Sequence, residues 1–366
     1  MIPRIDCALT GVENLEKIYT FYKFPIYMGV VSPTIDKPDQ FEDMHWGYSP
    51  SSGSVQLLNL LPPGEAYVTP HNSGALGQIW ETHHREFYNF INDREHVHIL
   101  EIGGGSGNLA RHALSSDKKF KWTIVDPGMY DVITDERVSQ MNTMFEEFTP
   151  SGQFDAIIHS HVLEHTYSPR EFLSKIHGLL YAAGTHYISI PNMRHGLENG
   201  FSNTLNFEHT YYIDECILEY LLAQSGFEIL SKKINPHSIF MSCVKSKMQV
   251  FHAPRFDHAV ELFSNYTTQL EAQITDILTK LQNRRCYLFG AHIFSQMLLT
   301  MGLDQDQVVS VLDHDVSKHG KRLYGSQLLV TSPELIEDYP IIVRCGIYTD
   351  EITEALLLNN PAVEII

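Results

Sequence analysis

A strand pattern that ends in an acid and a run of glycines is the part of this sequence best suited to hold a ligand. Residues 97–100 are typical of a buried strand, and Glu101 follows them directly. The glycines then recur at every second position, as Gly103, Gly105 and Gly107. Glycine lets a backbone come close to a ligand because no Cβ stands in the way. A helical pattern begins at Asn108, so the segment predicts the first strand, turn and helix of a doubly wound α/β domain.

A second acid supports a ligand with a ribose. Asp126 ends the next predicted strand, where a carboxylate that accepts ribose hydroxyls is expected. The glycine spacing differs from the dinucleotide pattern G-x-G-x-x-G, which makes a dehydrogenase a distant alternative. The pattern instead resembles motif I of class I S-adenosylmethionine (SAM) methyltransferases. The resemblance implies that Glu101 holds the amino acid end of SAM and that the glycine turn accommodates its methionyl and ribose parts.

Two further segments carry side chains that can move protons. Residues 160–165 follow the fourth predicted strand, at a sheet edge where such domains bind ligands. There Ser160 and His161 are candidates for further contacts with the donor, although we weigh a structural role more heavily for His161, as for His159. The candidate acid/base groups beside the donor are His165, Glu208, His209 and Tyr212. A polar helix start is the alternative for Glu208 and, with less weight, for His209.

Composition limits the class of protein. The 366 residues carry a net charge of −18, which argues against binding to nucleic acid or to an anionic membrane surface. No apolar run is long enough to cross a bilayer, and the first residues lack the pattern of a signal peptide. The five cysteines are scattered and form no C-x-x-C pair, so we expect reduced thiols in a cytoplasmic protein.

The pattern of elements predicts three parts within an α/β fold. We expect a small loop-rich N-terminal module at 1–75, a class I methyltransferase (Rossmann-like) domain at 76–256, and a helical connector with a second Rossmann-like domain at 257–366. The strands of the middle part are predicted at 97–101, 121–126, 142–146, 154–160, 184–190 and 239–245. Helical periodicity marks residues 257–283 as the connector.

The chain resembles the sugar C-methyltransferases, which methylate nucleotide-linked keto-deoxysugars. The resemblance is carried by the segments 100–107, 160–165, 208–212, 290–291, 311–321 and 332–335. It implies an N-terminal zinc module, a SAM domain and a C-terminal Rossmann-like domain that lines the acceptor cleft. By resemblance, Tyr67 or Ser73 meets the cofactor, and the C-terminal part, with Asp313 where a ribose-binding acid would stand, holds the nucleotide of the acceptor. A C-terminal part that serves only as a wall remains an equal alternative.

Two departures from the family pattern bear on function. The four zinc ligands expected in the N-terminal module correspond here to Cys7, Thr10, Ser49 and Ser52. Hydroxyls are poor zinc ligands beside thiolate or imidazole, and His45 alone would not complete a set, so we predict no metal.

The second departure is at position 206, where the family has a tyrosine that is a candidate base. An amide cannot abstract a proton, so with Asn206 at this position either His209 takes that role, helped by Glu208 and His165, or the reaction differs. We therefore predict a SAM-dependent methyltransferase acting on a nucleotide-activated sugar or related carbohydrate. The alternatives are an O- or N-methyltransferase of another small metabolite, and a non-catalytic protein that binds SAM or a sugar nucleotide. The oligomeric state is left open.

Overall fold

The structure is a computed structural model, and it describes residues 1–34, 37–63, 77–92, 95–115, 119–128, 131–247 and 255–366. Tyr67 and Ser73, the residues expected to meet the cofactor, lie outside these ranges. Among the described helices, none combines the length and the apolar character that crossing a membrane requires.

A seven-stranded mixed sheet forms the middle of the chain. Its strands are β7 (His98–Ile102), β8 (Lys121–Val125), β9 (Val138–Met141), β10 (Phe154–Ser160), β11 (Leu180–Pro191), β12 (Phe227–Ile234) and β13 (Ser238–Lys245). They lie in the order β12-β13-β11-β10-β7-β8-β9. The pairs from β9 to β11 are parallel, whereas β13 runs antiparallel to both β11 and β12. The strand order reverses between β7 and β10, and doubly wound sheets bind ligands at the carboxyl ends of such strands. This is the class I methyltransferase fold expected from the sequence.

Helices cover both faces of this sheet. They are α1 (Gln78–Ile91), α2 (Asn108–Leu114), α3 (Pro169–Leu179), α4 (Met193–Glu198) and α5 (Glu215–Gln224). Asp214 caps α5 by accepting the N–H of Ile217 at 3.0 Å, and Pro169 begins α3, where its missing N–H has no helical partner to lose. The apolar faces of α1 and α2 pack on one side of the sheet, and those of α3 and α5 pack on the other.

The prediction of a strand at 142–146 is wrong, because β9 ends at Met141 and a turn follows it. Phe145 and Phe148 are buried, which gives this segment the apolar character of a strand, but they reach the core from the turn. The real strand lies at the edge of the sheet and alternates between half-buried and exposed residues, so its sequence is more polar.

The N-terminal part is more regular than the loop-rich module predicted. A three-stranded antiparallel sheet is formed by β2 (Glu16–Pro25), β4 (Phe41–Tyr48) and β5 (Val55–Leu57). Two short pairs join it, β1 (Ile2–Pro3) with β6 (Asn59–Leu60), and β3 (Val30–Val31) with a strand of the C-terminal part. Bulges at 17–19 and 21–24 interrupt the alternation of β2, which explains why the sequence pattern did not reveal it.

The C-terminal part is built on a parallel sheet of its own. The 25-residue helix α6 (Asp257–Leu281) leads into it, as the connector prediction expected. The strands are β14 (Cys286–Phe289), β15 (Val308–Leu312), β16 (Arg322–Leu323), β17 (Val330–Thr331) and β18 (Ile341–Ile342), with helices α7 (Ile293–Thr300) and α8 (Thr349–Asn359). The order is β17-β15-β14-β18, and β16 pairs instead with β3 of the N-terminal part.

Candidate functional site

The glycine turn after β7 has a backbone that side chains would not permit. Gly103, Gly105 and Gly107 have φ angles of 71°, 50° and 74°, in the left-handed region. A Cβ on Gly103 would lie 2.3 Å from a methyl of Val162, which follows β10. A Cβ on Gly105 would meet nothing within 4 Å, so the turn faces open space at that point. This is the space that the sequence assigns to the ligand.

Glu101 is buried at the end of β7, with 3% of its surface exposed. Its Oε2 accepts a hydrogen bond of 2.7 Å from the indole N–H of Trp122. Burial raises the pKa of this carboxyl to about 7, while the indole bond opposes the shift and the charge of Asp126 adds to it. The group therefore changes charge near neutral pH and is ready to pair with a cation.

Asp126 stands directly after β8 and is only half-buried. Its Oδ2 accepts the N–H of Gly105 at 2.9 Å, and its Oδ1 accepts the N–H of Gly128 at 2.7 Å. The carboxylate thus holds the glycine turn in place. Each oxygen keeps a further lone pair, so the group can still accept from ligand hydroxyls.

Four ionisable side chains meet beyond the carboxyl end of β10. Glu164 and His165 lie on a short 3-10 helix, Leu163–His165, and the Glu164 Oε1 is 3.7 Å from the His165 Nε2. The Nδ1 of His165 faces the Glu208 Oε2 at 3.9 Å. The rings of His165 and His209 lie 5.2 Å apart. The structure therefore brings together three residues chosen from the sequence, together with Glu164, whose position in the motif 160–165 was the only available signal.

The turn around Asn206 fixes the orientation of this group. The Asn206 Oδ1 accepts the N–H groups of Glu208 and His209 at 2.7 and 2.9 Å, so this amide has a structural task. His209 Nδ1 lies 2.7 Å from the carbonyl oxygen of Thr204. A carbonyl only accepts, so Nδ1 carries the proton and Nε2 keeps its lone pair. Burial lowers the pKa of His209, which keeps the ring neutral.

Tyr212, the fourth candidate acid/base group, is engaged elsewhere. Its hydroxyl donates to the Asp214 Oδ2 at 3.0 Å, and the ring is fully buried. His258 contacts the same carboxylate oxygen at 2.6 Å. Burial raises the pKa of Tyr212 well above its ordinary value. These contacts assign Tyr212 to the support of helix α5.

Ser160 and His161 belong to a histidine cluster that sequence reasoning missed. The buried hydroxyl of Ser238 lies 2.9 Å from the His161 Nε2, 3.1 Å from the His83 Nδ1 and 2.7 Å from the His237 Nδ1. Ser160 bonds the other nitrogen of His83 at 2.9 Å. Burial lowers the pKa of His83 to about 2 and that of His237 to about 4. His83 and Ser160, like His161 and Ser238, are 77 residues apart in the chain, so no local sequence pattern predicts the cluster.

The C-terminal part repeats the acid-on-turn arrangement with one difference. The Asp313 Oδ2 accepts the N–H of Ala291 at 2.9 Å, and its Oδ1 accepts the N–H of Asp315 at 2.9 Å. Lys318 adds its ammonium at 2.9 Å from Oδ2, whereas the Asp126 carboxylate accepts only from backbone N–H groups among the described residues. A carboxylate already paired with an ammonium is poorly suited to accept hydrogen bonds from ribose hydroxyls. This favours the alternative in which the C-terminal part serves only as a wall of the acceptor cleft.

Two of the four positions that correspond to zinc ligands, Cys7 and Ser52, lie in a hydrogen-bonded cluster with Ser54. The Cys7 Sγ lies 3.1 Å from the Ser54 Oγ and 3.7 Å from the Ser52 Oγ, and the two hydroxyls are 2.9 Å apart. Ser49 bonds Ser51 at 2.9 Å, and all of these groups except Ser51 are buried. The prediction that this module holds no metal stays a prediction.

A cleft of about 440 Å³ separates the middle sheet from the C-terminal part. Its lining includes His195, Asn199, Phe201, Gln273, Arg344 and Thr349. The wall at residues 199–202 runs directly into the turn that carries Thr204 and His209.

Residues 79–232 match the family model described as a methyltransferase domain. The matched span begins in α1 and ends in β12, so it contains the glycine turn, Asp126 and the acid/base group. The enzyme class predicted from the sequence, a SAM-dependent methyltransferase, is thereby confirmed. A comparison with curated proteins found no match.

Solved methyltransferase structures resemble part of the chain. The 1,6-didemethyltoxoflavin N1-methyltransferase of Burkholderia thailandensis is 18% identical with a TM-score of 0.41, over 53% of this chain and 96% of that one. A plantazolicin methyltransferase is 14% identical with a TM-score of 0.36, and the match covers 44% of this chain and 80% of that one. A glycopeptide N-methyltransferase is 11% identical with a TM-score of 0.34, and the match covers 45% of this chain and 89% of that one.

Proposed function

We propose that the chain transfers the methyl group of SAM to a nucleotide-linked keto sugar or a related carbohydrate. The observation that carries the proposal is the group formed by His165, Glu208 and His209 beside the glycine turn. Val162, next to the 3-10 helix of this group, packs against Gly103. A donor on the turn and an acceptor on the acid/base group would therefore be neighbours. We place the reaction in the cytoplasm, since all five cysteines are free.

The donor half of the proposal follows from the buried acid, the turn and the second acid. Glu101 would pair with the ammonium of SAM, and Asp126 would accept from its ribose hydroxyls. The open side of Gly105 leaves room for the ligand backbone to approach. Bound SAM would supply an electrophilic methyl group on its sulfonium.

The acceptor half uses the lone pair on the Nε2 of His209. A neutral imidazole with its Nδ1 proton committed to the Thr204 carbonyl is a suitable proton acceptor at that atom. His165 and Glu208 would orient the acceptor or share the proton. Methylation at carbon next to a ketone demands removal of an α proton, whereas oxygen or nitrogen methylation makes a weaker demand on the base.

The cleft would hold the remainder of the acceptor. Its polar lining and the guanidinium of Arg344 suit a diphosphate, which arginine binds through paired hydrogen bonds. The Asp313 carboxylate is paired with Lys318, which argues against its binding a ribose. The C-terminal part would therefore act mainly as a wall of this cleft.

Transfer from SAM labelled in its methyl group tests this function. Purified protein is incubated with nucleotide-linked keto sugars and with other small hydroxyl- or amine-bearing metabolites. We expect label in a sugar nucleotide, and NMR of the product then identifies the methylated atom. Label only in another metabolite would favour the O- or N-methyltransferase alternative, and no transfer despite SAM binding would favour the non-catalytic one.

His209→Asn tests the assigned base. We expect transfer to fall by about 10² to 10⁴-fold with SAM affinity unchanged, the usual contribution of a general base. Tyr212→Phe keeps the buried ring and should retain most of the transfer, because its hydroxyl serves Asp214. Equal losses in both variants would restore Tyr212 to the catalytic group and contradict the assignment.

A further inference from the structure

We propose that Glu164, His165 and His209 form a binding site for a divalent transition metal ion, with Zn²⁺ as the ion that the ligand set favours. The three residues offer one ligand atom each, and these atoms lie within 4.8 Å of one another. The sequence reading placed no metal here. The proposed function supplies the context, because the site lies where the acceptor would bind.

The buried carboxylate of Glu164 is the observation that points to a bound cation. Its side chain is fully buried, and neither carboxylate oxygen has a hydrogen-bond partner in the described part of the chain. A buried, unsolvated carboxylate is costly unless a cation or donors compensate it. The oxygens face imidazoles instead, at 3.7 Å from the His165 Nε2 and 3.9 Å from the His161 Nδ1. A metal ion between the carboxylate and the histidines would supply the missing compensation.

His209 is held as metal-ligating histidines are. One ring nitrogen donates to the backbone carbonyl of Thr204, which leaves the Nε2 lone pair as the ligand atom. On the opposite side Glu208 faces the Nδ1 of His165 at 3.9 Å, the place of a carboxylate that orients a ligating ring from behind. Burial also keeps His209 neutral, the form that binds metal.

The size and openness of the site suit catalytic zinc. Ligand bonds of about 2.0–2.1 Å in a tetrahedron place neighbouring ligand atoms about 3.4 Å apart, so closing on the ion requires side-chain movements of about 1 Å. Two histidines and one carboxylate leave a fourth position open, as in hydrolytic zinc enzymes. His165 has 23% of its side chain exposed, which gives the ion and a fourth ligand access.

The ion would change how the acceptor is activated. A hydroxyl or ketone oxygen of the acceptor in the fourth position would be polarised by the metal charge, which would lower the pKa of the hydroxyl or of the carbon next to the ketone. The Nε2 of His209 would then be a ligand, so the proton would go to the carboxylate of Glu208, 3.9 Å from the His165 Nδ1, and not to the imidazole of His209.

Zinc binding to the whole chain, without donor or acceptor, tests the site independently of methyl transfer. The protein is stripped with a chelator, loaded with Zn²⁺, desalted and analysed for metal. We expect one zinc per chain, and Glu164→Gln and His209→Asn should each bind it at least a hundredfold more weakly. His83→Asn and Cys7→Ser are the matched controls and should retain the ion, since they alter the other histidine cluster and the N-terminal thiol cluster.

Co²⁺ provides a second readout that does not depend on retention during desalting. Loaded wild-type protein should show the intense visible bands of a four- or five-coordinate ion, and Glu164→Gln should lack them while unfolding no earlier than the stripped wild type. The proposal fails if wild-type protein holds no zinc, if Glu164→Gln binds it as tightly as wild type, or if binding is lost in His83→Asn instead. Because no substrate is present, these outcomes stand whether or not the methyl-transfer assay succeeds.

Discussion

The carboxyl of Glu101 makes a prediction at the scale of one residue. Burial raises its pKa to about 7, and only the ionised form can pair with the ammonium of SAM. Lowering the pH below 7 protonates the group, so we expect SAM affinity to fall by up to about tenfold per pH unit between pH 7 and pH 5.5. Calorimetric titration at several pH values measures this, and binding at pH 6.5 should release protons to the buffer.

Glu101→Gln is the control for that dependence. Gln keeps the size of the side chain and its acceptor toward the Trp122 indole, but it has no charge to lose. We expect weak SAM binding that is nearly independent of pH in this range. A steep pH dependence that survives in the variant would assign the titration to another group. Measurements stay below about pH 7.5, because an α-amino group such as that of SAM begins to lose its own proton above it.

Residue types alone predicted part of the site and concealed another part. The acids at 101 and 126 and the pair 208–209 were identified because each follows a strand or precedes a helix. Glu164 stands in the same motif as His165, but its role depends on being buried without a hydrogen-bond partner, which only the fold determines. Asn206 reads as a lost base in the sequence, whereas its side chain is needed to shape the turn.

At the scale of an element, the glycine turn predicts a contrast between two alanine substitutions. Gly103→Ala places a Cβ 2.3 Å from Val162 and adds left-handed strain, so both folding stability and SAM binding should suffer. Gly105→Ala meets no protein atom within 4 Å, and its cost to stability should be limited to the left-handed conformation, about 1–2 kcal/mol. The added methyl of Gly105→Ala nevertheless points into the space proposed for the donor.

Thermal unfolding and SAM titration of both variants separate the two effects. We expect Gly105→Ala to lose more affinity than its modest loss of stability explains, and Gly103→Ala to lose stability first. A Gly105→Ala protein that binds SAM as well as wild type does would mean that the donor does not approach the turn on that side.

Strongly patterned elements were predictable, and irregular ones were not. The strands β7, β8, β10 and β13 and the connector helix lie within a few residues of their predicted bounds. The antiparallel pair β2–β4 was missed because bulges break its alternation, and β9 because it is an edge strand with polar positions. In both cases, the strand is defined by its pairing with a neighbouring strand rather than by local periodicity.

At the scale of the whole molecule, the N-terminal part joins the other two parts. Its buried residues share one hydrophobic cluster with the middle sheet and α6. Toward the C-terminal part, β3 pairs with β16, and Arg322 forms a paired salt bridge with Asp39 in which both side chains are 9% exposed. Such long-range contacts explain why the sequence predicted the parts but not how they are assembled.

The buried histidines predict how the stability of the whole chain depends on pH. His159 and His186 lie fully buried on adjacent strands, and no hydrogen-bond partner of their ring nitrogens is found among the described residues. Burial lowers the pKa of His159 to about 3 and that of His186 well below its ordinary value. The unfolded chain binds these protons near pH 6.5 and the folded chain does not, so the free energy of unfolding falls as the pH drops below 6.5.

Replacing one of these histidines with an apolar residue should remove its contribution to the fall in the free energy of unfolding at low pH. Each ring contributes about 2 kcal/mol of destabilisation at pH 5, because a pKa unit corresponds to 1.4 kcal/mol. We therefore expect His159→Leu to lose less stability than wild type between pH 7.5 and pH 5 in urea unfolding with chelator present, while the exposed His98→Asn should follow wild type. If His159→Leu loses as much as wild type, the ring has access to water or to a partner when the protein is folded, and its burial without protonation is refuted.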